Sequence, residues 1–218
     1  MKTHDLQVAL RPRGLRSFLS RSKKNSKILD VGCGNRSSIF IKSIIPSAEV
    51  FGIDIGDYNQ SVESKKLYKH YITTPPEDFH SAIYNLKENF DMVISNHNIE
   101  HCNNPSGTFS AMIDRLAVGG DLFIATPSMR SVNFPSRGGT LNFYDDSTHK
   151  SPIDLMEMFQ SESHRIECIY YSHSYQPFFW ALVGRVNEYI SKKKNKNMLG
   201  TWDYFGFEQI IWIKKSQL

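Results

Sequence analysis

The chain has 218 residues, of which 40% are apolar and 12% aromatic, enough to bury a sizeable core and too apolar for a disordered tail or a fibre. Its 26 basic and 22 acidic residues leave a net charge of +4. That total hides an asymmetry: Met1 to Lys27 carry eight basic residues and one acid, a net of +7, which leaves the rest of the chain at −3. "Basic protein" therefore misdescribes the body. Cys33, Cys102 and Cys168 are odd in number and form no CxxC pair, which argues against a disulfide framework and a structural zinc site and fits a reducing, cytoplasmic compartment. The N-terminus lacks the apolar stretch of a signal peptide, and the longest apolar run, Phe178 to Val183, is too short to cross a bilayer. The expectation is a basic leader over 1–26, followed by one domain over 27–218.

In chain order, strands are predicted at Lys27–Val31, Val50–Ile53, His70–Thr73, Asp91–Ser95, Asp121–Ala125, Arg165–Tyr171 and Glu208–Ile213. The first, second, fourth and fifth are compact apolar runs, as expected of strands covered on both faces. Helical patterns fall between them. Ser37–Ile45 is stopped by Pro46. Pro105–Leu116 follows Asn104 as N-cap and ends at Gly119-Gly120, and Pro152–Gln160 follows Ser151. The alternation predicts an α/β fold: a doubly wound, mostly parallel seven-stranded sheet in three αβα layers.

The first strand runs Ile28-Leu29-Asp30-Val31 into Gly32-Cys33-Gly34-Asn35-Arg36 and then a helix. Glycines there let a ligand approach the backbone at the carboxyl end of the sheet. Asp54 ends the second strand about 20 residues after Gly34, the spacing at which an acid meets ribose hydroxyls. A dinucleotide fingerprint would place a third glycine at Ser37, and Asp30 sits poorly beside a pyrophosphate. Both departures favour a nucleoside that carries positive charge and no phosphate.

The ordered set Leu29-Asp30-Val31-Gly32-Cys33-Gly34, Gly52-Ile53-Asp54-Ile55, the run Phe90 to His101, and Leu116-Ala117-Val118-Gly119-Gly120-Asp121-Leu122 resembles the class I S-adenosylmethionine-dependent methyltransferases. The resemblance covers about residues 27–127, and Asn96 to His101 looks most like a small-molecule branch that includes quinone-biosynthesis and natural-product enzymes. It implies a Rossmann-like sheet whose last strand is antiparallel, with S-adenosyl-L-methionine as cofactor. Asp30, Gly32, Cys33 and Gly34 would line the methionine end. Asp54 would hold the ribose, and Ile55 would flank the adenine. Asn96 and His97 would lie near the sulfonium. The family usually has a small residue where Asn35 and Arg36 stand. It often has an acid after strand three, a place that Glu77 or Asp78 takes here.

Methyl transfer to a hydroxyl needs a proton acceptor, and histidine is the usual one because its ordinary pKa lies near neutrality. His101, His149 and Asp146 are the expected catalytic group, with Tyr144 and Asp145 in the same loop. His97-Asn98-Ile99-Glu100-His101 also matches the H-x-x-E-H zinc pattern. Zinc is not expected, because the segment leaves room for only a short turn and no other helix offers a third ligand. The expected metal is therefore none.

The segment Ser172 to Tyr204 is longer than the class needs and carries Phe178, Phe179, Trp180, Leu182, Val183, Val186 and Tyr189 before a lysine run. It is expected to form an amphipathic helix packed on the sheet or across a homodimer; an acceptor-covering or interfacial helix is the alternative. The loop 138–146 and the ending Trp202 to Trp212 look like methyltransferases found with surface-polysaccharide genes. The function read from the chain is O-methylation of a small molecule or sugar hydroxyl, including that of a nucleotide-sugar. Two alternatives stay open: an RNA methyltransferase using the leader as a phosphate-binding arm, and a non-catalytic cofactor-binding subunit. Arg11, Arg13, Arg16 and Arg21 would otherwise serve an anionic acceptor at the entrance.

Overall fold

The computed structural model describes residues 14–57, 60–172 and 178–216. Strands β1 (Lys27–Val31), β2 (Glu49–Asp54), β3 (His70–Thr73), β4 (Phe90–Asn96), β5 (Leu116–Pro127), β6 (Ile166–Ser172) and β7 (Glu208–Lys215) form one sheet in the order 3-2-1-4-5-7-6. The first five pair in parallel, and β7 runs antiparallel between β5 and β6. The order reverses at β1 and β4, and it is there that an open sheet leaves a crevice at its carboxyl ends.

The helices are α1 (Leu15–Leu19), α2 (Ser37–Ile44), α3 (Val62–Lys66), α4 (Phe79–Tyr84), α5 (Pro105–Arg115), α6 (Leu155–Ser161), α7 (Phe178–Lys194) and α8 (Thr201–Phe205). Strand alternation divides the core between the two faces. Leu29, Val93, Leu122 and Ile211 meet Phe79, Phe109, Met112 and Leu155 on one side. Ile28, Met92, Phe123 and Trp212 meet Phe18, Leu19 and Ile41 on the other.

The described part of the leader belongs to this second face. Phe18 is fully buried, with its ring 5.4 Å from Phe123 and 5.6 Å from Trp212. Truncating such a ring to alanine costs about 3 kcal/mol or more. Arg16 lies over Phe40 at 5.3 Å and Arg21 over Trp212 at 5.2 Å, so both guanidiniums rest on aromatic faces. Arg11 and Arg13 fall outside the described residues.

Two predicted boundaries move. α5 ends at Arg115 and the chain enters β5 at once, so Gly119-Gly120 lie inside the strand and not at a helix stop. Gly119 has φ +73°, and a side chain on Gly120 would press on the carbonyl oxygens of Ala117 and Phe90 at 2.9 and 3.0 Å. The pair absorbs the register slip between β4 and β5. α6 starts at Leu155 and not at Pro152. Asp154 accepts from the amides of Met156 and Glu157 at 2.9 and 3.3 Å, capping the helix in place of Ser151.

Candidate active site

The glycine turn is held from two sides. The Gly32 amide donates to the Ile53 carbonyl at 2.9 Å. Gly32 has φ +72°, and a Cβ there would stand 2.2 Å from the Asn98 side chain, so the turn and the loop after β4 fit only with glycine. Around Gly34, by contrast, a Cβ would meet no atom within 4 Å. That side of the turn is open.

Asp30 lies beneath the turn, buried, and accepts from the Tyr68 hydroxyl at 3.0 Å. Burial pushes its carboxyl up to about 7, although hydrogen bonds from Ser37 and Tyr68 oppose the shift. Asp54, at the end of β2, is raised by burial as well, and its Oδ1 accepts the Ile55 amide at 2.7 Å. Burial suppresses the charge of both carboxyls beside this open turn, and a cation placed there would restore it. Cys33 differs: its side chain is in the core against Tyr68, and burial pushes its thiol up, so only its backbone remains on the turn. Glu77 and Asp78 are exposed where α4 begins, and Asn96 is exposed at the end of β4.

His97 follows Asn96 with φ 52°, a left-handed conformation in which a histidine is strained. Nε2 lies 2.9 Å from Glu208 Oε1, and Nδ1 lies 3.3 Å from Glu100 Oε1. The ring stacks 6.4 Å from Phe207 and leans on Trp202 at 5.6 Å. Burial works against its charge, but the two carboxylates outweigh burial and raise it to about 10. Charged in this way, the ring has no lone pair left to accept a substrate proton: Nε2 bonds to Glu208, and Nδ1 faces Glu100.

His101 and His149 come together although 48 positions separate them in the chain, their ring centroids 4.8 Å apart. His149 Nδ1 lies 2.5 Å from the Phe143 carbonyl. A carbonyl only accepts, so Nδ1 carries the proton and Nε2 presents a lone pair. The Thr148 hydroxyl donates to Asp146 Oδ1 at 2.5 Å and lies 3.0 Å from His101 Nδ1. With its one proton given to Asp146, Thr148 accepts from His101 Nδ1, which frees Nε2 of His101 too. Asp146 therefore sets a tautomer, and its Oδ2 is 4.0 Å from His149 Nε2. Asp145 builds the loop: its Oδ2 accepts the amides of Leu141 and Asn142 at 3.0 and 2.9 Å. Tyr144 is exposed.

The H-x-x-E-H segment forms a single 3₁₀ turn, Ile99–His101, and His97 faces Glu208. His149, from the loop after β5, nevertheless completes a candidate ligand set: donor atoms of Glu100, His101 and His149 lie within 4.8 Å of one another. Glu100 Oε2 accepts from Thr126 at 2.9 Å, while its buried Oε1 faces His97 at 3.3 Å without a hydrogen bond. Nothing in the sequence marks Glu208 and Thr148 as partners of His97 and His101, because β7 and the loop after β5 bring them in from far along the chain.

The methyltransferase domain family matches residues 3–212 of this chain. The chain belongs to that family. The methyltransferase is also 32% identical over 108 residues to a ubiquinone biosynthesis O-methyltransferase of Saccharophagus degradans, and 31% identical over 106 residues to an uncharacterized protein of Methanocaldococcus jannaschii. Those stretches cover 46% and 47% of this chain but only 43% and 28% of the relatives' own lengths. Among solved structures, the plantazolicin methyltransferase BamL, bound to a desmethyl analogue and SAH, matches 98% of this chain and 88% of its own with a TM-score of 0.61 at 17% identity. A SAM-dependent methyltransferase of Archaeoglobus fulgidus matches 98% and 100% with a TM-score of 0.54, also at 17% identity. The fold is that of the class I SAM-dependent methyltransferases, as the glycine turn and strand order lead one to expect.

Proposed function

We propose that the protein methylates a hydroxyl of a small molecule, with His149 as proton acceptor and S-adenosylmethionine held by Asp30, the Gly32–Gly34 turn, Asp54, Ile55 and Asn96. Bound there, the cofactor supplies an electrophilic methyl on a sulfonium. Asp30, raised to about 7 by burial, would ionise fully on gaining an ion pair with the ammonium. Asp54 receives the ribose hydroxyls. Glu77 and Asp78 offer acceptors toward the adenine edge.

The observation that carries this reading is the fixed tautomer of His149. Its Nδ1–H is tied to the Phe143 carbonyl, so Nε2 can take a proton as the acceptor oxygen becomes nucleophilic. Asp146, 4.0 Å away, stabilises the imidazolium that results. His101 closes the other side of the pair and helps position the hydroxyl. The S. degradans relative, by its name an O-methyltransferase of ubiquinone biosynthesis, supports a hydroxyl acceptor. A sugar hydroxyl, in polysaccharide biosynthesis, fits the same chemistry.

The test is incubation with methyl-labelled cofactor and cell extract separated into nucleotide-sugar, quinone, RNA and protein fractions. Label in a nucleotide-sugar or quinone fraction supports the reading; label confined to RNA contradicts it.

A further inference from the structure

The helix α7 is built inside out. Its inward side is small and polar. A Cβ on Gly184 would stand 1.9 Å from the carbonyl oxygen of Gly200, so the two backbones touch. One turn on, Glu188 takes both guanidinium arms of the buried Arg137 at 2.5 and 2.7 Å, and Ser191 accepts from the same arginine at 2.8 Å. Trp180 is the large apolar side chain that this side buries. The outward side carries Phe179, Leu182, Val186, Tyr189 and Ile190, between 38% and 69% exposed. Their spacing of three and four places them in one stripe along the helix. A helix of a soluble domain ordinarily turns such a stripe inward. The expected packing of these residues on the sheet is not what forms: the opposite face turns inward, onto Gly200 and the loop at Arg137.

The charges beside the stripe select its occupant. Arg185, Lys192, Lys193, Lys194 and Lys196 are all exposed, and Lys193 sits 4.4 Å over the Tyr189 ring. Glu188 is the one acid of the helix; it is committed inward to Arg137, with Lys192 3.7 Å from it, which leaves Arg185, Lys193, Lys194 and Lys196 with no acid of the helix beside them. A second copy of the chain would bring the same cations and no acid from this helix. An anionic bilayer complements both parts of the surface: headgroups meet the cations and the acyl boundary takes the stripe. No helix among the described residues is long and apolar enough to cross a membrane, so the geometry is that of a helix lying flat.

We propose that α7 docks on an anionic phospholipid surface through Phe179, Leu182, Val186, Tyr189 and Ile190, with Arg185 and the lysine run on the headgroups. The helix is tied to the acceptor side of the site. Gly138 bonds to Asn195 and Asn197 through its backbone, and Arg137 and Gly138 begin the loop that carries Phe143 and His149. Bilayer docking would therefore hold the acceptor loop near the membrane.

The full chain is sedimented with vesicles of phosphatidylcholine containing about 30% phosphatidylglycerol, and with vesicles of phosphatidylcholine alone. Binding to the anionic vesicles is expected to be about tenfold tighter and to weaken at about 0.5 M salt. Leu182→Ser/Val186→Ser and Lys193→Glu/Lys194→Glu, all at exposed positions, should each lose about tenfold in vesicle binding while keeping the wild-type circular dichroism. Equal sedimentation with and without vesicles would overturn the proposal. So would a dimer in light scattering that Leu182→Ser/Val186→Ser converts to a monomer, or retention on RNA without retention on vesicles.

Discussion

The Tyr68 hydroxyl donates to Oδ2 of Asp30 at 3.0 Å, directly under the glycine turn. Ser37 and Tyr68 together keep a buried carboxyl available for ionisation, which ties stability to cofactor binding. Burial raises Asp30 from 3.8 to about 7, so the neutral acid favours the folded state. Its contribution is fully present below about pH 4 and is lost as pH rises through 7. Asp30→Asn should therefore raise the melting temperature of the cofactor-free protein at pH 8, by on the order of 2 kcal/mol in stability, while weakening cofactor binding more than tenfold. The cofactor's ammonium needs the ionised form, so wild-type affinity by calorimetry should be about tenfold weaker at pH 6 than at pH 8. A flat affinity across that range would remove Asp30 from the cofactor site.

Gly32 and Arg36 share positive φ values, +72° and 68°, and substitution should move stability in opposite directions at the two. Gly32→Ala puts a methyl group into Asn98 and should destabilise the fold by about 2 kcal/mol or more. Asn98→Ala should restore part of that loss, because it removes the clash and leaves the strained φ. Arg36→Gly should stabilise by about 1 kcal/mol, since the left-handed residue at the start of α2 is exposed and makes no cap. Urea midpoints measure all three.

The central strands and the glycine turn were legible because compact apolar runs and turn residues are local signals. Asp30, Gly32, Gly34 and Asp54 sit on those signals. The Gly119-Gly120 pair misled, since glycines serve a strand bulge as readily as a helix stop. The His101–His149 pair was only half legible. Each histidine is visible in the chain, but their meeting depends on Asp145 shaping the loop 141–149 and on Lys150 bonding the Glu100 carbonyl after β4. Glu208 comes from β7, and nothing near it in sequence marks it as the partner of His97. The outward stripe of α7 was visible as a periodicity, but its direction shows only in the contacts of the opposite face with Gly200 and with Arg137, 51 positions before Glu188.

His97 is held charged between Glu208 and Glu100, its value raised from 6.5 to about 10. The stability this gives is complete below about pH 6.5 and is lost as pH rises through 10. Glu208→Gln should lower stability at pH 7 by about 1–3 kcal/mol and move the alkaline loss toward neutral pH. Thermal unfolding from pH 6 to pH 10 checks both. An unchanged alkaline limb would show that His97 is not charged in the fold.

Glu100, His101 and His149 could ligate a cation, but a proton-accepting His149 needs none. Dialysis against a strong chelator should leave methyl transfer within about twofold of the untreated rate. Activity that falls after chelation and returns with zinc would replace the base by a metal.

The most direct test follows label from methyl-labelled S-adenosylmethionine into the acceptor fraction for the wild type and His149→Asn, with cofactor affinity measured on both by calorimetry. Asparagine keeps a donor for the Phe143 carbonyl and removes the Nε2 lone pair. The expected result is a loss of transfer of about 10²–10⁴-fold with cofactor affinity within about twofold. Equal incorporation by both proteins, or tight cofactor binding with no label in any fraction, would contradict the assignment of a histidine-assisted methyl transfer.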